Sequence, residues 1–126
     1  MDSEANSNSP VIEVRTYRAR EGQRERLMNL IRDLAFPVQR KLGIRVLGPF
    51  PSQDDPVTFV WLRAFQSPTS RDALRRAFYE GPEWSQQLEG QLMPLLDSYA
   101  SVLVEDRDGL WQRWPGQPFD VTAVGT

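Results

Sequence analysis

Glu13, Arg15 and Tyr17 alternate along the segment VIEVRTY, residues 11–17, and Phe59, Trp61, Arg63 and Phe65 alternate along VTFVWLRAFQ, residues 57–66. Side chains two apart on a strand point to the same side. If the two segments are neighbouring strands sharing that side, Glu13 and Arg15 sit close to Trp61 and Arg63. That makes a polar cluster with aromatic walls, which suits a flat, partly anionic organic ligand. Glu13 is then the leading general base or acid, provided burial raises its pKa toward neutrality. Tyr17 is a candidate proton donor, and Arg15 or Arg63 would hold an enolate or carboxylate oxygen. Trp61 and Phe65 would stack on the substrate, with Phe59 on the same wall. On this reading Glu13→Gln abolishes turnover and leaves the fold intact. The same residues also fit a purely structural role. Glu13 would neutralise Arg15 and Arg63 in a buried ion network, and the aromatics would be core or dimer packing, because a buried charge needs a partner but not necessarily a ligand.

The residues the chain lacks narrow the chemistry further. There is no cysteine and no histidine. Thiolate nucleophiles, Ser-His-Asp catalysis, His-ligated haem and most zinc sites are therefore excluded, and neither a metal nor an organic cofactor is expected. Fifteen basic residues, of which Lys41 alone is lysine, face seventeen acidic ones for a net charge of −2. Arg24, Arg26, Arg32, Arg40 and Lys41 are interspersed with Glu21, Glu25 and Asp33, and Glu21 and Arg24 can pair on a helix surface. This is mixed surface charge, so no nucleic-acid partner is expected. No Gly-rich phosphate loop is present. Asp54-Asp55-Pro56 reads as a solvated loop, and Asp97 as a turn residue. No apolar run approaches a membrane span and no apolar segment follows the start, so a soluble, cytoplasmic protein is expected.

The positioning elements follow from periodicity. Residues 1–10, MDSEANSNSP, read as a disordered leader. The strand 11–17 comes next. Leu27, Leu30, Ile31, Leu34, Val38 and Leu42 then form one helical stripe over 21–42. Pro37 predicts a kink or split near Ala35–Phe36, and Gly43 a C-cap. Residues 44–50, weakened by Gly48 and Pro49, predict an edge strand, and 57–66 a central one. Thr69 and Asp72 resemble a capping pair for a helix to about Tyr79, with Leu74, Ala77 and Phe78 inward. Gly81-Pro82 breaks that helix, and Pro82 can open the next. Tyr79 and Trp84 flank the break, either at a pocket mouth or at a helix–helix corner. Trp84, Leu88, Leu92 and Leu96 recur every fourth residue, and Pro94 should kink the last turn. Residues 99–106 predict the last strand. The order β-α-β-β-α-β is the ferredoxin-like pattern, an α+β fold with a four-stranded antiparallel sheet and helices on one face. Residues 107–126 form an aromatic tail, in which Trp111, Trp114 and Phe119 cover either their own domain or a partner subunit.

Between Val11 and Asp106 the chain resembles the NIPSNAP family of the dimeric α+β barrel superfamily, in its short bacterial branch. The matching segments are EVRTYRAREGQRERLMNLI, LGIRVLGPF, DDPVTFVWLRAF, RDALRRAFYEGPEW and DSYASVLVE. The stretch QQLEGQLMPLLDSYASV and the aromatic tail depart from the family pattern. The resemblance implies a ferredoxin-like protomer pairing sheet to sheet as a homodimer, with a ligand site between sheet and helices. It does not imply a particular reaction.

Three functional readings are carried forward. The first is a small cofactor-free tailoring enzyme, of isomerase, cyclase or monooxygenase type, acting on a hydrophobic oxygenated small molecule such as a polyketide-like intermediate. The second is a non-catalytic module that binds a small molecule or a protein. The third is a structural subunit docked through its tail. A pocket of about 300 Å³ or more with a convergent polar group separates the first from the others.

Overall fold

The computed structural model describes residues 9–116. The expected leader, up to residue 8, and Phe119 lie outside the described residues. The elements are β1 (Val11–Ala19), α1 (Arg24–Leu30), a π-helical turn (Ile31–Ala35), α2 (Phe36–Leu42), β2 (Arg45–Pro51) and β3 (Thr58–Phe65). They continue as α3 (Pro68–Tyr79), a second π-helical turn (Trp84–Leu88), α4 (Glu89–Leu92), a 3₁₀ turn (Met93–Leu95), β4 (Leu96–Glu105) and a final 3₁₀ turn (Leu110–Arg113). The four strands are antiparallel in the order β2-β3-β1-β4. This is the ferredoxin-like α+β fold.

Proline sets two of the irregular turns. Pro37 lacks the N–H that would bond the Asp33 carbonyl, and its ring crowds that carbonyl. The first long helix answers with the wider π turn Ile31–Ala35, directly before Phe36. It ends at Gly43, whose φ of 98° lies in the left-handed region that glycine enters freely. Pro94 in turn tightens the last helical turn into the 3₁₀ segment.

Several expectations need correction. The cap of α3 is Ser67, not Thr69. Its hydroxyl accepts from the Ser70 backbone N–H at 3.1 Å while Ser70 Oγ accepts from Ser67 N at 3.1 Å, and Pro68 takes the first turn. Ala77 is exposed, and Phe78 is the inward residue of that turn. β4 begins at Leu96 rather than Tyr99, because Ala19 pairs with Leu96 and Arg20 N donates to Leu95 O at 2.8 Å. Asp97 therefore lies in a strand, 3.8 Å from Arg20. Arg24 does not pair with Glu21. Its guanidinium donates to the carbonyls of Ser52, Asp55 and Thr58 and ties down the β2–β3 loop.

Both faces of the sheet carry apolar cover. On the helix side Phe59, Trp61 and Phe65 pack with Leu27, Ile31, Phe36, Phe78, Leu88 and Leu92. On the outer side Ile12, Ala64 and Trp114 form a smaller cluster with Leu47, Leu62, Leu110 and Trp111. Asp106 starts the final turn by accepting from the N–H groups of Leu110 and Trp111 at 2.6 and 2.8 Å. Arg45 lies 3.8 Å from the Trp111 ring centre and donates to the Trp111 carbonyl. Trp114 Nε1 donates to Val46 O at 3.0 Å, on the strand at the sheet edge. Trp111 and Trp114 are thus docked on their own chain.

Candidate functional site

β1 and β3 are adjacent, with Glu13 opposite Arg63, Arg15 opposite Trp61 and Tyr17 opposite Phe59. Directly opposed side chains share a face. The polar side of β1 therefore turns toward the helices, and its Ile12, Val14 and Thr16 side turns outward. The cluster expected from alternation is formed.

Glu13 is its centre and is fully buried. Oε1 accepts from Arg15 Nη1 at 2.8 Å and from Arg63 Nε at 2.6 Å, and Oε2 accepts from Arg71 Nε at 2.7 Å. Burial alone would push the carboxyl up, but the Arg63 charge, the bonds from Arg71 and Arg63 and the Arg15 charge outweigh it and hold its pKa at about 2. The condition attached to an acid–base role for Glu13 is not met. The carboxylate stays ionised and organises the cluster. Arg71, on α3, is the ligand that sequence reasoning missed, and its one signal was its place on the first turns of an amphipathic helix.

Arg63 is also fully buried. Besides Glu13 it donates from Nη1 to Gln39 Oε1 and to the Tyr79 hydroxyl, both at 3.2 Å. Phe59 and Phe65 are fully buried in the core and line neither cavity beside the cluster, as the core-packing alternative expects. Arg63 lines neither cavity either, and holds its partners from behind.

What opens beside the cluster is a cleft of about 260 Å³ lined by Arg15, Tyr17, Arg75, Tyr79, Trp84, Met93, Leu96 and Tyr99. It adjoins an inner chamber of about 30 Å³ that shares Tyr17, Tyr79, Trp84, Met93 and Leu96 and adds Gln39, Trp61 and an apolar wall of Leu27, Ile31, Ala35, Phe78 and Leu92. Tyr79 and Trp84 play both expected parts, since their rings meet edge to face at 5.2 Å at the helix corner and also line the cleft. Arg15 lies between rings, 5.1 Å from the centre of Tyr99, 5.4 Å from Trp61 and 5.5 Å from Tyr17. Burial opposes its charge, but Tyr17, Tyr79 and Glu13 favour it, and the guanidinium is held charged. Arg15 Nη2 donates to the Tyr17 hydroxyl at 3.2 Å. Burial keeps that hydroxyl protonated, raising its pKa against the pull of Arg15. Chemically, the cleft offers the positive charges of Arg15 and Arg75 and the phenols of Tyr17, Tyr79 and Tyr99 beside the Trp84 ring.

Fold and site together describe a ferredoxin-like α+β protein with an open cleft between its sheet and its helices, whose volume of about 260 Å³ falls somewhat short of the roughly 300 Å³ expected of an enzyme pocket. The NIPSNAP family profile matches residues 12–103, and the chain belongs to that family. The structure is similar to a NIPSNAP family protein from Agrobacterium tumefaciens, with a TM-score of 0.69 at 23% identity over 81% of this chain and 90% of the other. It is also similar to a NIPSNAP-like domain protein from Burkholderia xenovorans, with a TM-score of 0.71 at 19% identity over 81% and 89%. A putative antibiotic biosynthesis monooxygenase from Nitrosomonas europaea shares the fold, with a TM-score of 0.64 at 13% identity over 81% and 94%. No curated protein matches the chain significantly. Among the described residues no helix is long and apolar enough to cross a membrane.

Proposed function

We propose that the protein binds a flat, oxygenated hydrophobic small molecule in this cleft and acts on it as a cofactor-free tailoring enzyme. The observation that carries this reading is the charged, nearly buried Arg15 at the wall of an open cleft framed by Tyr17, Tyr79, Trp84 and Tyr99. With Glu13 locked as a carboxylate, the cleft has no resident group poised to take a proton near neutral pH. The supported chemistry therefore runs on a substrate that readily forms its own enolate or phenolate. Arg15 and the phenols of Tyr17 and Tyr79 stabilise the oxygen on which charge develops, which is where fixed donors accelerate a reaction most. Isomerisation, cyclisation and addition of molecular oxygen to such an anion all fit, and the shared fold of the putative Nitrosomonas monooxygenase supports keeping the last.

The second reading is a non-catalytic small-molecule module with the same cleft, favoured by the missing proton acceptor. We also propose that the outer sheet face pairs with a second copy of the chain. Val102 and Val104 on β4 lie beside Val14 and Ile12 on that face and are 58% and 39% exposed. The test is to incubate the protein with anthrone- and naphthol-type compounds, following binding by calorimetry and conversion by mass spectrometry and oxygen uptake. Conversion lost in Arg15→Gln supports the enzyme. Binding without conversion assigns the module, and no binding refutes the cleft as a ligand site.

A further inference from the structure

The hydrogen-bond and charge balance around the cleft is uneven, and always in the same direction. One carboxylate, Glu13, faces the guanidiniums of Arg15, Arg63 and Arg71. Among these groups two positive charges are left over. Arg75 adds another. It lies four residues after Arg71, hence on the same face of α3, and lines the cleft with Arg15. It forms no ion pair among the described residues. Asp72 and Glu80 border a shallow surface pocket together with Arg75 and Arg76, but neither neutralises it at bonding distance.

The unpartnered atoms repeat the pattern. Arg15 Nε, Arg63 Nη2, Arg75 Nε and Trp61 Nε1 are buried without an acceptor, and all four are donors. A buried donor left unmade is costly, more so when it is charged. Of these residues Arg15 and Arg75 line the cleft and Trp61 the inner chamber, while Arg63 lines neither, and with Arg15 only 5% exposed bulk water offers little relief at the cleft. Tyr17 and Tyr79 deepen the imbalance. Their oxygens already accept from Arg15 and Arg63, which leaves their O–H groups as further donors at the cleft. What the site lacks is an acceptor with negative charge. The walls add that its carrier is flat, since rings of Tyr17, Trp61 and Tyr99 surround Arg15.

We propose that the cleft selects an oxyanion borne on a planar ring system, taken between Arg15 and Arg75, with Glu13 as a positioning residue. Glu13 aims Arg15 and stops three neighbouring guanidiniums from repelling one another, while leaving the positive excess that the ligand neutralises. This inference rests on the cleft being the ligand site, and it names the class of ligand. Arg75 is thereby a specificity-determining residue.

The test compares three probes by calorimetry at pH 7.5. They are 1-hydroxy-2-naphthoate, its neutral isostere 1-hydroxy-2-naphthamide, and 2,4-dinitro-1-naphthol, which is a phenolate at that pH. The naphthoate should bind about tenfold to a hundredfold tighter than the amide, the weight of a hydrogen bond made to a charged group. Its affinity should fall with added salt while that of the amide does not. Arg75→Gln should remove most of the preference, and Arg76→Gln on the exposed face of α3 should preserve it. Tight binding of the phenolate as well assigns a general oxyanion site, and binding of the naphthoate alone a carboxylate site. Both support the proposal. Equal affinity for naphthoate and amide overturns it and leaves the cleft intact as a ligand site. Failure of all three probes to bind overturns both.

Discussion

Replacing Glu13 by glutamine keeps the shape of the side chain and removes its charge. In the folded protein the carboxyl has a pKa of about 2 against an ordinary 4.5. That difference is worth about 3 kcal/mol of folding stability at neutral pH, at roughly 1.4 kcal/mol per unit. An independent route gives a similar figure. Removing one member of a buried ion cluster typically costs about 3–5 kcal/mol, because the remaining charges stay buried. Small domains are stable by only about 5–15 kcal/mol, so Glu13→Gln should fold but melt far earlier, by about 10–20 °C. Where the sequence led to the expectation of an intact fold, the cluster predicts a variant that folds but is markedly less stable.

The pH dependence separates this cause from ordinary loss of packing. A carboxylate whose pKa is depressed by folding stabilises fully above its unfolded value, and the benefit fades as pH falls toward the folded one. The gap between wild type and Glu13→Gln should be widest above about pH 5 and should close between about pH 4.5 and pH 2. Surface carboxylates such as Asp33 and Asp55 titrate in both proteins and cancel in the comparison. Urea denaturation followed by tryptophan fluorescence from pH 7 down to pH 2.5 measures the gap directly. A gap below about 1 kcal/mol at pH 7, or one that does not narrow with acid, would refute the assignment of Glu13 as the keystone of the arginine cluster.

Trp114→Ala should destabilise the protein by about 3–5 kcal/mol in urea denaturation, since a buried ring and its bond to the Val46 carbonyl are lost together. A loss near zero would mean that the final turn does not contribute to the domain. Val102→Asp places a charge on the exposed valine face of β4. It should convert a homodimer to a monomer in light scattering, and a wild-type protein that is already monomeric would sink the sheet-to-sheet proposal. Tyr79→Phe deletes an acceptor of Arg63 and a donor to the cleft. Naphthoate affinity should fall about threefold to tenfold, and unchanged affinity would remove the Tyr79 hydroxyl from the site.

The shared wall of Glu13, Arg15, Tyr17, Trp61 and Arg63 was legible because strand alternation is strict and β1 and β3 are neighbours in this topology. The protonation state of Glu13 was not legible. Its sign depends on whether burial or ion pairing wins, and one of the pairing partners, Arg71, is 58 residues away on a helix whose rotation sequence does not set. Which of the two roles open to Phe59 and Phe65 holds was not legible for a related reason. Alternation gives the side of a sheet but not the depth, and the helices cover that part of β3 completely. The cap at Ser67 carried a signal in Pro68, which favours the first helical position, but Thr69 and Asp72 offered the more familiar spacing. The docking of Trp114 depends on a chain reversal after Asp106 that no periodicity encodes.

The inward polar face of β1 explains why acid–base function and anion recognition separate in this site. A carboxylate can serve as a base near neutral pH only where burial is not offset by cations. Here three guanidiniums offset it, so Glu13 can serve only by holding them. The same three bonds determine what is left for a ligand. Arg63 Nη1 and Arg15 Nη2 are spent on the two tyrosine oxygens, and those tyrosines carry the donor character outward to the cleft. An anionic ligand would therefore meet donors from both phenols and from Arg15, all oriented before it arrives. Fixed donors of this kind need no reorganisation when charge develops on the ligand, which is the condition under which electrostatic stabilisation is largest. Among the described residues lining the cleft none is a carboxylate, so on the proposed reading catalysis begins from a substrate acidic enough to enter as its anion.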